Sequence, residues 1–253
     1  MNAVKVRNIV IGEGMPKICV PIVGETKEAI LEEARAITKL PADVVEWRID
    51  WFEGVFDWAQ MEDVLKALRE TLGEMPILMT FRTSKEGGEK AIDDETYAEI
   101  NIKAAQTGLI DLVDVEIFTV DEVVEKIIDG AHEAGVKVVA SNHDFDKTPD
   151  KDDIVGRLCK MQALGADIPK IAVMPQSKKD VLTLLAATEE MATEHADRPI
   201  ITMSMAGNGV VSRLAGEAFG SALTFGAAAK ASAPGQMEVN DLKKVLELIH
   251  GAM

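Results

Sequence analysis

Along the chain, short apolar runs rich in Val, Ile and Met alternate with longer segments in which apolar residues recur at helical spacing. The runs fall at residues 18–23, 44–49, 77–82, 112–117, 136–141, 169–174, 199–205 and 222–227. Their spacing of roughly 25 to 35 residues is that of a repeated βα unit, and such alternation predicts a parallel sheet with helices packed on it. Between runs, Ile154, Val155, Leu158 and Met161, or Val181, Leu184, Leu185 and Ala187, mark helix faces that pack on the sheet. Thr148 before Pro149 reads as a capping hydroxyl ahead of a first-turn proline, and Ser177 with Asp180 reads as a capping box. Val4, Val6, Ile9 and Ile11, interrupted at Asn8, predict a small hairpin plugging the N-terminal end of the sheet. Eight regular units predict one (β/α)8 TIM barrel spanning residues 1–253. The competing architecture is an open doubly wound sheet, which the absence of a GxGxxG fingerprint after the first run disfavours.

Composition narrows the partners more than the fold. A hydrophobic fraction of 47% suffices for a large core, and no apolar run approaches the ~20 residues of a membrane span. The first residues show no basic segment followed by an apolar block, so the expected location is cytoplasmic. A net charge of −16 disfavours nucleic acid and anionic membrane surfaces, although local arginines can still hold a small anion. Cys19 and Cys159 lie in apolar-periodic segments and read as reduced packing thiols.

Strands buried on both faces should be almost continuously apolar, so their charged residues need an explanation. Glu46 and Arg48 share one face of the second run, Arg82 closes the third, and Asp114 and Glu116 share a face of the fourth. His143 and Asp144 follow the fifth, and Lys170 interrupts the sixth. Ion pairing, such as Glu46 with Arg48 or Lys170 with Glu116 or Glu46, is the structural explanation. Recurrence on successive strands favours a site at the barrel mouth, because each buried charge costs several kcal/mol before pairing recovers it. Burial and neighbouring Arg48, Arg82 or Arg213 would make Lys170 a nucleophilic amine. His143 is the one histidine next to a strand end, placed to move a proton, with Glu86 in the glycine-containing loop after the third run as its orienter. Arg213 follows the seventh run, where a guanidinium can hold a carboxylate, although Gly207 to Gly209 could equally cradle phosphate. Ser232 and Gln236 offer a hydroxyl and an amide after the eighth.

These residues, taken in order, resemble type I 3-dehydroquinate dehydratase over essentially the whole chain. The most specific stretches are Asp114-Val115-Glu116-Ile117 and Val138-Val139-Ala140-Ser141-Asn142-His143-Asp144. Glu46-Trp47-Arg48, Phe81-Arg82, Glu86-Gly87-Gly88, Pro169-Lys170-Ile171-Ala172, Ser212-Arg213 and Ser232-Ala233-Pro234-Gly235-Gln236 add to them. The resemblance implies an imine between Lys170 and the C3 ketone of 3-dehydroquinate, C2 proton abstraction by His143, and orientation of His143 by Glu86. It implies substrate binding by Glu46, Arg48, Arg82, Arg213, Ser232 and Gln236, with no metal and no cofactor, in a homodimer. Many relatives have Met-Gly or Met-Ser where this chain reads Met205-Ala206. Two further readings stay open on the residues alone: an aldolase or sugar-phosphate isomerase barrel, and a barrel that only binds a metabolite.

Overall fold

The computed structural model describes residues 2–117, 119–228 and 235–253, and in it each of the eight apolar runs forms a strand. β1 (Val4–Val6) and β2 (Ile9–Ile11) precede them as an antiparallel hairpin. The barrel strands are β3 (Lys17–Ile22), β4 (Val44–Arg48), β5 (Ile77–Thr80), β6 (Leu112–Glu116), β7 (Lys137–Asp144), β8 (Ile168–Val173), β9 (Ile201–Ser204) and β10 (Leu223–Ala227). β3 to β9 pair successively in parallel, and β10 returns to lie beside β3, with Thr224 opposite Ile18. A parallel bridge between Ile200 and Ser221, where the Ala222 N–H donates to the Ile200 carbonyl at 2.9 Å, links the starts of β9 and β10. The architecture is the predicted (β/α)8 barrel. A two-residue β11 (Met237–Glu238) adds to the end of β10.

Helices α1 (Lys27–Ile37), α2 (Trp58–Leu72), α3 (Asp94–Gln106), α4 (Asp121–Glu133), α5 (Lys151–Ala163) and α6 (Lys178–Glu190) follow β3 to β8 in turn. Two short helices, α7 (Val210–Leu214) and α8 (Gly216–Phe219), follow β9, and α9 (Val239–His250) ends the chain. Their starts obey local chemistry: Thr26, Asp57 and Asp93 accept backbone N–H groups of the first turns, and Ser177 and Asp180 form the predicted capping box. Thr148 does not cap α5. Its hydroxyl donates to the Met174 carbonyl at 3.0 Å, and the helix starts two residues beyond Pro149 with Asp150 at the cap.

Period-two alternation divides the strand side chains between two apolar layers. Outward residues such as Val45, Trp47 and Val113 pack on Met61, Leu65, Leu68 and Ile127 of the helices. Inward residues Cys19, Val44, Leu78, Leu112, Val139, Ile168 and Ile201 pack with Val4, Val6 and Ile11, so the hairpin fills the N-terminal end of the barrel as expected. Arg7 at the hairpin turn pairs with Asp111, just before β6. No helix among the described residues is long and apolar enough to cross a membrane.

Candidate active site

The alternation that makes the floor apolar makes the mouth charged. Two residues beyond inward Val44 stands Glu46, and two further Arg48; Leu112 is followed likewise by Asp114 and Glu116, Val139 by Ser141 and His143, and Ile168 by Lys170. Lys170, Asp114, Glu116, Glu46, Arg48 and Arg82 are all buried. At the C-terminal strand ends Glu46, Arg48, Arg82 and Lys170 line one cavity, with Asp114 and Glu116 hydrogen-bonded to Lys170 and Arg82. Glu46, Arg48, Arg82, Glu86, His143, Lys170, Arg213 and Gln236 line it, with Ala172, Met203, Met205, Phe145 and Phe225 as its apolar walls. Ser232 lies outside the described residues.

Lys170 Nζ donates to Asp114 Oδ2 at 3.0 Å, lies 3.8 Å from Glu46 Oε1, and sits 4.8 Å from the centre of the Phe225 ring. Its hydrogen-bonded anion is Asp114; of the two partners that pattern suggested, Glu46 stands at the longer ion-pair distance and Glu116 pairs elsewhere. Burial alone would raise the Asp114 carboxyl, but Arg82, Lys170 and the Ser141 hydroxyl hold it down at about 2. Glu116 is taken up elsewhere: it accepts from Arg82 at 2.7 Å and from the backbone and hydroxyl of Thr83 at 2.8 and 2.7 Å. Arg82 also donates to Asp114 at 2.8 Å and Ser141 at 3.1 Å, so its guanidinium is braced by carboxylates on β6.

His143 belongs to β7, which runs to Asp144, three residues beyond its predicted end; residues 142–144 keep pairing with β8, where His143 lies opposite Ala172. Glu86, in the turn after β5, accepts the His143 backbone N–H at 2.8 Å and the Asn142 amide at 3.1 Å, and meets His143 Nδ1 at 2.9 Å. Gly87 and Gly88 allow this approach: a Cβ on Gly88 would sit 1.9 Å from the Arg82 carbonyl, and one on Gly87 2.5 Å from the Phe145 ring. Burial pushes the Glu86 carboxyl up to about 7, against the pull of Arg82. Burial, then Arg82, Lys170 and Arg48, hold the imidazole well below its ordinary range. Both shifts favour a neutral ring. With Glu86 ionised, a hydrogen on Nδ1 points to the carboxylate and leaves Nε2 as a base, a tautomer assigned from the hydrogen bonds.

A buried amine beside an anion, a neutral histidine on a carboxylate, and a guanidinium in one cavity suit imine chemistry on a small carboxylated ketone. The family model for type I 3-dehydroquinase matches residues 18–253. The chain belongs to the type I 3-dehydroquinase family. It is 61% identical over 250 residues to 3-dehydroquinate dehydratase of Listeria welshimeri, covering 99% of each chain. The crystal structure of the type I enzyme from Clostridium difficile, with covalent modified comenic acid, superposes with a TM-score of 0.98 at 55% identity, covering 100% of this chain and 99% of that one. The Geobacillus kaustophilus 3-dehydroquinate dehydratase structure matches with a TM-score of 0.96 at 39% identity, covering 99% and 97%.

Around this cavity, several partners were invisible to pattern. Arg48 pairs with Asp50, not Glu46, through two hydrogen bonds of 2.8 and 2.7 Å, while Glu46 accepts from the Thr80 hydroxyl at 2.9 Å. Asp50 also accepts from the Glu89 backbone at 3.1 Å, tying the Arg48 anchor to the turn that carries Glu86. Phe225 and Met203 escaped notice because apolar residues in apolar strands carry no anomaly; their inward register is the signal that finds them. Arg213 stands on α7, buried, and burial pulls its guanidinium down to about 10, still a cation at neutral pH. The Gly207–Gly209 turn does not line the cavity, and Gly209 is explained by packing, since a Cβ there would lie 2.2 Å from the Ser204 carbonyl. Ala206 has φ +55° and ψ −176°, a conformation that favours glycine. Gly235 rests on its peptide.

Proposed function

We propose that this chain dehydrates 3-dehydroquinate to 3-dehydroshikimate through a Lys170 imine, in the shikimate route to aromatic amino acids. The observation that carries this reading is the convergence of Lys170, the His143–Glu86 pair and Arg213 on one cavity. The neutral Lys170 amine adds to the C3 ketone, and loss of that oxygen as water leaves a protonated imine. Nε2 of His143 takes a proton from C2, and the C–H electrons flow toward the iminium nitrogen, giving an enamine. The enamine expels the C1 hydroxyl, which leaves as water with the proton returned by His143. Hydrolysis of the conjugated imine then frees Lys170 and the enone. Glu86 keeps Nε2 available, Arg213 holds the substrate carboxylate, and Glu46, Arg48, Arg82, Ser232 and Gln236 hold the ring hydroxyls and shape the pocket. Met203, Met205 and Phe225 form the apolar wall of the cavity, with the Phe225 ring beside the reacting nitrogen.

The same reading makes the chain a single catalytic domain that works as a homodimer in the cytoplasm. The activity is tested by adding 3-dehydroquinate and following ultraviolet absorbance of a conjugated enone. Growth of that band at a rate proportional to protein is expected; folded protein giving none overturns the reading.

A further inference from the structure

We propose that Asp114 is the counter-ion of the reacting nitrogen, holding Lys170 in place and stabilising its positively charged imine. The inference rests on the reading of Lys170 as the imine-forming residue. Among the carboxylates named at the mouth, Asp50 serves Arg48, Glu116 serves Arg82 and Thr83, and Glu86 serves His143; Glu46 accepts from Thr80 and stands 3.8 Å from Lys170, too far for the hydrogen bond that Asp114 makes. Asp114 divides its two oxygens. Oδ1 is fixed by the Ser141 hydroxyl at 2.6 Å and by Arg82 at 2.8 Å, which aims Oδ2 at Lys170 Nζ, 3.0 Å away. Asp114 is fully buried and does not line the cavity, so it acts on the nitrogen and not on the substrate ring.

The nitrogen is positive as the ammonium, neutral as the attacking amine, and positive again as the iminium. A fixed anion in contact with it favours both charged states over the amine between them. Asp114 thus restrains the resting lysine and stabilises the intermediate. Held down at about 2 by its cationic neighbours, it stays a carboxylate and takes no proton itself. The other groups facing Lys170 are Glu46 on β4, His143 on β7, Cys19 on β3 and the Phe225 ring on β10; Arg82 acts through Asp114, and Arg48 and Arg213 share the cavity.

The test measures reductive methylation of Lys170 by formaldehyde and cyanoborohydride against pH, scored on the Lys170 peptide by mass, beside borohydride trapping of the imine during turnover. In D114N, the pH of half-maximal Lys170 reactivity should fall by about 1 unit or more, and the trapped fraction by roughly tenfold. Ser141→Ala keeps the charge but removes a donor from Asp114, so Lys170 reactivity should shift to higher pH. A folded D114N protein with the wild-type profile and trapped fraction overturns the inference; if D114N does not fold, an S141A protein without the upward shift does so. Wild-type protein that yields no Lys170 adduct sinks the imine reading itself, a result distinct from an unchanged variant.

Discussion

The two ends of the barrel are built from the same strands and bury opposite chemistry. At the N-terminal end, inward Val44, Leu112, Val139 and Ile168 close on the hairpin residues Val4, Val6 and Ile11. Two residues further along the same strands stand Glu46, Asp114, Ser141 and Lys170, equally shielded from water but held by ion pairs and hydrogen bonds. The floor stabilises the fold by removing apolar surface from water, which needs only shape and volume. The mouth spends part of that stability on charges whose desolvation is only partly recovered by pairing. Stability and chemistry therefore separate along the barrel axis, and substitutions at the two ends should have separable effects.

The sharpest break of that division is Lys170→Ala, which should reduce turnover of 3-dehydroquinate to background in the enone assay. His143→Ala should lower kcat by about 10² to 10⁴ while imine still forms, since proton transfer is lost but the amine remains. A trapped adduct in this variant separates the two roles. Ile11→Ala, at the opposite end, should cost about 2–5 kcal/mol of stability in denaturant titrations, with kcat of the folded protein unchanged. A fall in kcat there would show that the floor also tunes the site. The pH profile gives a further test. The Glu86 carboxyl is raised to about 7, so it is lost as pH falls through that value, and with it the Nδ1 hydrogen bond that leaves Nε2 basic. The ratio kcat/KM should therefore fall on the acid side of about 7, and Glu86→Gln should be slower and lack that limb. The smallest effect is Ala206→Gly. Relief of the strained backbone, less the greater freedom of glycine in the unfolded chain, should raise stability by about 1 kcal/mol, or roughly 2–4 °C in Tm.

Eight strands were legible because each buried run is bounded by turn residues and loses its apolar character within a few positions of the mouth. The candidate residues were legible for the complementary reason: Lys170 between Pro169 and Ile171, or Arg48 after Trp47, breaks a pattern that burial on both faces would impose. Alternation places a residue on a face without naming its partner across the barrel. Hence Glu46 and Arg48, two apart on one strand, suggested a pair, whereas Arg48 takes Asp50 just beyond the strand and Lys170 takes Asp114 from β6. Thr148 failed as a cap for a similar reason, its hydroxyl drawn to the distant Met174 carbonyl. Nothing in the apolar pattern marks Ala206, whose positive φ appears only in the structure.

The central claim, covalent catalysis through Lys170, is tested most directly by borohydride reduction in the presence of 3-dehydroquinate followed by peptide mass mapping. Loss of activity with a single substrate-derived mass increase on the peptide containing Lys170 is the expected result. Continued enone formation with Lys170 unmodified would contradict it.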